Sequence, residues 1–110
     1  MAINSRSKGK RGELEFAKVL KDAGFEARRG QQFSGGGDSP DVVSNVPGAH
    51  FEVKRVEAGN PYVWLAQASR DAAPGNTPIV AHRRNDEQWI AILPMTYLLD
   101  LIKRADGVLT

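Results

Sequence analysis

The sequence predicts an α/β domain in which a mixed β-sheet is flanked by α-helices, and two observations predict it. Stretches with apolar residues three and four apart alternate with short runs rich in β-branched and aromatic residues, and glycine, proline and asparagine stand at their junctions. The resulting order, α, β, β, β, α, β, β, α, implies strands and helices layered around one sheet. At 110 residues there is length for one such domain with a single core.

Residues 1–9 are polar and basic, interrupted by serine and glycine, and are expected to form a flexible basic arm ahead of a single domain over 10–110. From Lys10 to Ala23 a helical period sets in, with Phe16, Ala17 and Leu20 as its buried stripe and Gly24 as its C-terminal cap. Counting back along that stripe reaches Glu13, which therefore faces inward. A carboxylate there needs a cation or hydrogen-bond donors, because an unpaired buried charge is expensive. A competing explanation has Glu13 complement the helix dipole from the first turn. Glu15 falls with Lys18 and Asp22 on the solvated side and is assigned a structural role.

Phe25 to Arg29 forms a first strand, followed by a loop from Gln31 to Pro40. Its consecutive glycines, Gly35 to Gly37, allow the backbone to approach a phosphate closely. It is not a P-loop, since no Gly-Lys-Ser/Thr follows and the next element is a strand.

Pro40-Asp41-Val42-Val43 is followed, eleven positions after Asp41, by Glu52-Val53-Lys54. Alternation along a strand sends Glu52 and Lys54 to one face and packs Phe51 and Val53 behind them. The interval fits a hairpin turning through Asn45-Val46-Pro47-Gly48, which sets Asp41 against Glu52. Two carboxylates that close repel unless a cation lies between them, and hard oxygen ligands suit Mg²⁺, with Mn²⁺ able to substitute. Lys54 beside such a metal would hold an attacking water or stabilise a pentavalent phosphate. The alternative is an ordinary hairpin with a solvated polar face.

Glu57-Ala58-Gly59-Asn60 makes a turn, and Asn60-Pro61 starts a helix as N-cap and first residue. That helix runs to Ala73, with Leu65, Ala68 and Ala72 inward and the polar Gln67 and Arg70 to be weighed separately. Ile79 to His82 and Gln88 to Leu93 are strands around the turn Arg84-Asn85-Asp86-Glu87. Pro94 to Lys103 is a closing amphipathic helix carrying Met95, Leu98, Leu99 and Ile102.

Composition narrows the chemistry. With no cysteine there is neither a disulfide framework nor a thiolate zinc site, and two histidines, His50 and His82, do not make a histidine-rich one. Any metal is expected to be oxygen-bound. No apolar run approaches the length that crosses a bilayer, and Met1 to Arg6 lacks the apolar segment of a signal peptide, so a cytoplasmic location without membrane contact is expected. The net charge of +2 is modest, but the basic residues are unevenly placed: Arg6, Lys8, Lys10 and Arg11 crowd the N-terminus, Arg28 and Arg29 precede the glycine-rich loop, and Arg83 and Arg84 sit near a turn. Clusters of this kind suit the phosphates of a polyanion; the plainer account is a solubilising surface.

Taken in order from Lys8 to about Ile92, these residues resemble the PD-(D/E)xK nuclease superfamily, and within it the archaeal-type Holliday junction resolvases, which some phages also carry. Lys8-Gly9 with Glu13, Leu20 and Gly24-Phe25 looks like the opening helix with its metal-binding glutamate; Arg28 or Arg29 and Ser34-Gly35 resemble the family's arginine and serine loop; Pro40-Asp41 and Glu52-Val53-Lys54 look like the signature motif; Tyr62-Val63 and Gln67 are similar to the segment that closes the site. No single piece is specific, but five pieces in the correct order are far more so. The loop before Asp41 is richer in glycine and poorer in basic residues than in many relatives, and the longer C-terminal portion of some is missing.

The resemblance implies a restriction-endonuclease-like fold, a homodimer with two sites, and cleavage of branched DNA to leave a 5′ phosphate. It further implies that Glu13, Asp41 and Glu52, with the carbonyl of Val53, hold Mg²⁺, that Lys54 acts on the attacking water or the developing charge, that Ser34 bonds the scissile phosphate, and that Gln67 positions water or phosphate. Arg6, Lys8, Lys10, Arg11, Arg28, Arg29, Ser34 and Arg55 are the expected DNA contacts. Trp64 and Trp89 are assigned to the core or to a dimer interface, with Ile90 and Ile92 as further interface candidates. Two alternatives remain: a nuclease of this fold acting on other duplex, branched or damaged DNA, and a non-catalytic DNA-binding module. The acidic set weighs against the second, because carboxylates repel phosphate.

Overall fold

Helix α1 spans Ser5–Asp22 in the computed structural model, which describes residues 5–30 and 40–109. It starts ahead of the Lys10 where the apolar period becomes visible, so residues 5–9 of the expected arm are helical and 1–4 lie outside the described residues. Gly12 lowers helix propensity but is needed here: a Cβ at this position would collide with Cβ of Arg55, so its absence lets α1 settle onto the sheet. The helix ends as expected, with Gly24 at φ 99° and the Phe25 N–H donating back to the Leu20 carbonyl at 3.0 Å.

Five strands follow the predicted order: β1 (Ala27–Arg29), β2 (Val42–Ser44), β3 (Ala49–Lys54), β4 (Thr77–His82) and β5 (Ile90–Ile92), with α2 (Pro61–Asp71) between β3 and β4 and α3 (Met95–Leu109) at the end. They form one sheet in sequence order, antiparallel except for β3 and β4. That pair is joined through helix α2, the kind of crossover that parallel strands require. Asn60 caps α2 through its side chain, which accepts from the Tyr62 N–H at 2.9 Å, and Pro61 occupies the first turn, where its missing donor costs nothing. The fold is that of a restriction-endonuclease-like mixed sheet flanked by helices.

The sheet buries both faces. On the α1 side Phe16, Ala17 and Leu20 pack with Ala27, Val42, Phe51 and Ala81; on the α2 side Trp64 and Ala68 pack with Val80. Phe16 meets Phe51 edge-on at 5.1 Å between ring centroids and touches Trp89 at 5.2 Å, contacts worth about 0.5–1.5 kcal/mol each beyond area burial. Trp64 and Trp89 are thus core residues, Ile92 is half-buried against the α2 cluster, and of the proposed interface set only Ile90 is exposed. Neighbours on β3 go to opposite faces: Phe51 enters the α1 cluster, and Glu52 points to the other side.

Helix α3 departs from expectation. Its Met95, Leu98, Leu99 and Ile102 stripe is present but does not close over the core: all four are exposed, at 65%, 37%, 50% and 54%, together with Tyr97 and Leu101.

Candidate active site

The β2–β3 register pairs Val42 with Phe51, which one step back sets Asp41 against Glu52. Asp41 is fixed by its backbone before its side chain acts. Its N–H donates to the Phe51 carbonyl at 3.0 Å, and its own carbonyl accepts from the Gly30 N–H at 2.8 Å. Gly30 has to be glycine for this approach, since a Cβ would run into the Pro40 carbonyl. The Asp41 carboxylate accepts from the Val53 N–H at 2.8 Å, which locks the loop end onto the strand that bears Glu52 and Lys54.

Glu52 is buried at 5% exposure, and its Oε1 lies 2.9 Å from Nε2 of His50. Its pKa is pushed up to about 9, first by burial, then by the Asp41 charge and a side-chain hydrogen bond with Asp41, then by Asp71; the Lys54 ammonium opposes these. Glu13 does lie on the inward face of α1, as the stripe implied, at 6% exposure. Burial and the Asp41 charge raise its pKa against Arg29, whose Nε donates to Oε1 at 3.2 Å. The second Glu13 oxygen, Oε2, is buried without a hydrogen-bond partner.

Asp41 is therefore the carboxylate felt by both glutamates, Glu13 from the α1 side and Glu52 from the α2 side. Among the described residues no three acidic or histidine side chains already converge as a set that would hold a metal ion. Each carboxylate is turned to a protein partner instead. The donor chemistry still fits a hard divalent cation: the groups are all carboxylate oxygens, Glu52 holds a proton that a cation would displace, and one buried oxygen of Glu13 has nothing to bond.

Lys54 is half-buried beside Glu52, and its carbonyl is held by Nδ1 of His82 at 2.8 Å and the Arg83 N–H at 3.2 Å. Gln67 is half-buried on α2, one turn before Asp71. Asp71 was missed by sequence reasoning; its i+4 relation to Gln67 was the available signal.

The basic residues divide. Lys10, Arg11 and Arg28 are exposed, and Arg29 is half-buried on Glu13. The Arg55 side chain is 13% exposed, with Nη2 donating to Asn85 at 2.9 Å and Nε 3.5 Å from Glu15, contacts that brace it within the fold. Glu15 is likewise no purely solvated residue, since Arg83 Nη1 donates to it at 2.7 Å. Ser34 and its loop lie outside the described residues, as do the side chains of Arg6 and Lys8.

A family model described as archaeal Holliday junction resolvase matches residues 4–98. No curated protein and no solved structure matches.

Proposed function

The chain belongs to the archaeal Holliday junction resolvase family, a PD-(D/E)xK nuclease family, and from that premise we propose that it is a Mg²⁺-dependent endonuclease that resolves four-way junctions by paired strand cleavage. Membership makes it a nuclease of branched DNA. The observation that carries the finer reading is the Asp41–Glu52 pair, held in register by the Val53 N–H with Lys54 alongside.

Asp41, Glu52 and the Val53 carbonyl would hold the cation, with Glu13 reaching it from α1. Bound there, Mg²⁺ would polarise a phosphoryl oxygen and lower the pKa of a bound water, with Mn²⁺ able to replace it. The chain's own groups do the rest. Glu52 must give up its proton for the cation to bind. Lys54 places an ammonium next to Glu52, where it orients the attacking water or offsets charge on the phosphorane. Arg29 neutralises Glu13 in the metal-free state. Gln67, on the helix facing the α2 side, would position water or phosphate, and Ser34 would bond the scissile phosphate.

One chain carries one such set, and a junction resolved symmetrically is cut on two opposed strands, so the reading calls for a two-fold homodimer. The surface that suits it is α3. Its exposed residues, Met95, Tyr97, Leu98, Leu99, Leu101 and Ile102, span an arc wider than one core contact needs, and a lone helix of this length is marginal in water without packing. A second copy of α3, apolar over the same arc, covers it.

Incubation of labelled four-way junction and matched linear duplex, each with Mg²⁺ and with chelator, tests the function. Metal-dependent symmetric cuts in the junction, with the duplex spared, are expected. Equal cutting of both substrates would move the assignment to a general duplex nuclease of this fold.

A further inference from the structure

Beside the paired carboxylates lies a side chain that no step above uses. His50 precedes Glu52 by two positions on β3, so the pleat sends both to the α2 face of the sheet. That face is otherwise built from Trp64, Ala68 and Val80, and His50 is among the largest fully buried side chains described, at 2% exposure. An imidazole in such surroundings is costly unless its nitrogens are bonded. Its Nε2 stands 2.9 Å from Oε1 of Glu52, and the two side chains are 2% and 7% exposed.

We propose that His50 is a positioning residue for Glu52, holding the Glu52 carboxylate in the one orientation from which it ligates the divalent cation. The inference rests on the reading of Glu52 as a metal ligand. A glutamate side chain turns about three bonds, and the neighbouring Asp41, whose charge and side-chain hydrogen bond both act on Glu52, competes for its orientation. A ring nitrogen fixed in the core and bonded to Oε1 removes that freedom, leaving Oε2 as the oxygen without an imidazole partner. The burial of His50 makes the hold firm, because the ring cannot swing out to water. Partners behind metal ligands of this kind typically account for 10–100-fold in affinity.

Three full-chain variants separate bonding from packing. His50→Gln places its amide nitrogen where Nε2 stands, His50→Asn places its own where Nδ1 stands, and His50→Leu fills the volume without a donor. Mn²⁺ binding measured by calorimetry in the absence of DNA should weaken by roughly 10–100-fold in His50→Asn and His50→Leu, while His50→Gln recovers most of the affinity. Cleavage at saturating Mn²⁺ should stay near that of the wild type, the loss appearing in the metal concentration needed. Junction binding without metal should be unchanged and serves as the fold control. If His50→Leu does not fold, the Gln and Asn pair decides alone. Wild-type affinity in Asn, or equal losses in Asn and Gln, overturns the proposal. A wild-type protein that takes up no Mn²⁺ overturns the metal reading of Glu52 itself, which is a separate failure.

Discussion

The Val53 N–H donates to the carboxylate of Asp41 at 2.8 Å, which joins two pieces of sequence separated by a turn into one site. A strand N–H here serves a side chain, so the position of the Asp41 carboxylate is set by the backbone of the strand that carries Glu52 and Lys54. Any shift of β2 along β3 would break this bond and part the two carboxylates together.

Proton occupancy of the acidic groups gives a stability prediction. The native chain holds Glu52 protonated up to about 9, and Glu13 also above its ordinary value of 4.5. The native state then binds more protons than the unfolded chain, so this contribution is fully present below 4.5 and is lost as pH rises towards 9. Metal-free protein should show a falling Tm across that window. Added Mg²⁺ should restore Tm increasingly at the alkaline end, because cation and proton compete for the same oxygens. Glu52→Gln should flatten the pH dependence; a wild type as flat as that variant would contradict the assignment of the proton.

Two glutamates two positions apart on α1 should behave differently. Glu13→Gln removes an inward carboxylate that feels the Asp41 charge and should abolish cleavage while junction binding persists. Glu15→Gln loosens the Arg83 and Arg55 contacts at the fold's edge and should cost about 1 kcal/mol in a urea titration, with cleavage per folded molecule retained. Equal loss of cleavage at both positions would refute the helix face assigned to Glu13.

Salt dependence separates the arginines. Replacing Arg6, Lys8, Lys10 and Arg11 with alanine should weaken junction binding and reduce its salt slope by about 0.9 log unit per lost phosphate contact. Arg55→Ala should leave the slope unchanged and lower stability, since its guanidinium is bonded inside the protein. An unchanged slope in the quadruple variant would return the N-terminal cluster to a solubilising role.

Assembly is read from α3. Light scattering at micromolar concentration should give about twice the chain mass of 12.0 kDa. Leu99→Glu, at a residue 50% exposed in the monomer, should leave the fold intact, produce monomer and convert paired cuts into nicks. A wild type that stays monomeric on junction DNA would contradict the dimer.

The legible parts of the fold were those with local physics. Gly24, Asn60 and Pro61 mark helix ends because their backbone or cap chemistry acts within one turn, and the Val42–Phe51 register followed from turn length and alternation. Glu13 was found by the same local count. Relations across the chain were not legible. The Glu13–Arg29, Glu15–Arg83 and Arg55–Asn85 contacts join elements far apart in sequence, so arginines that look alike in a string separate only in space. The α3 period was visible, but a period says which face is apolar and not what covers it. Nothing local marks His50 either, because a buried imidazole behind a ligand and one filling a core look alike in sequence.

The direct test of the Asp41–Glu52 site is junction cleavage and junction binding measured on the same Asp41→Asn and Glu52→Gln preparations. Asp41→Asn removes about one unit of repulsion toward phosphate and Glu52→Gln replaces a carboxyl already protonated without metal, so binding should strengthen or persist while Mg²⁺-dependent cleavage is abolished. Substantial Mg²⁺-dependent cleavage by both variants would show that the carboxylate pair does not carry the chemistry.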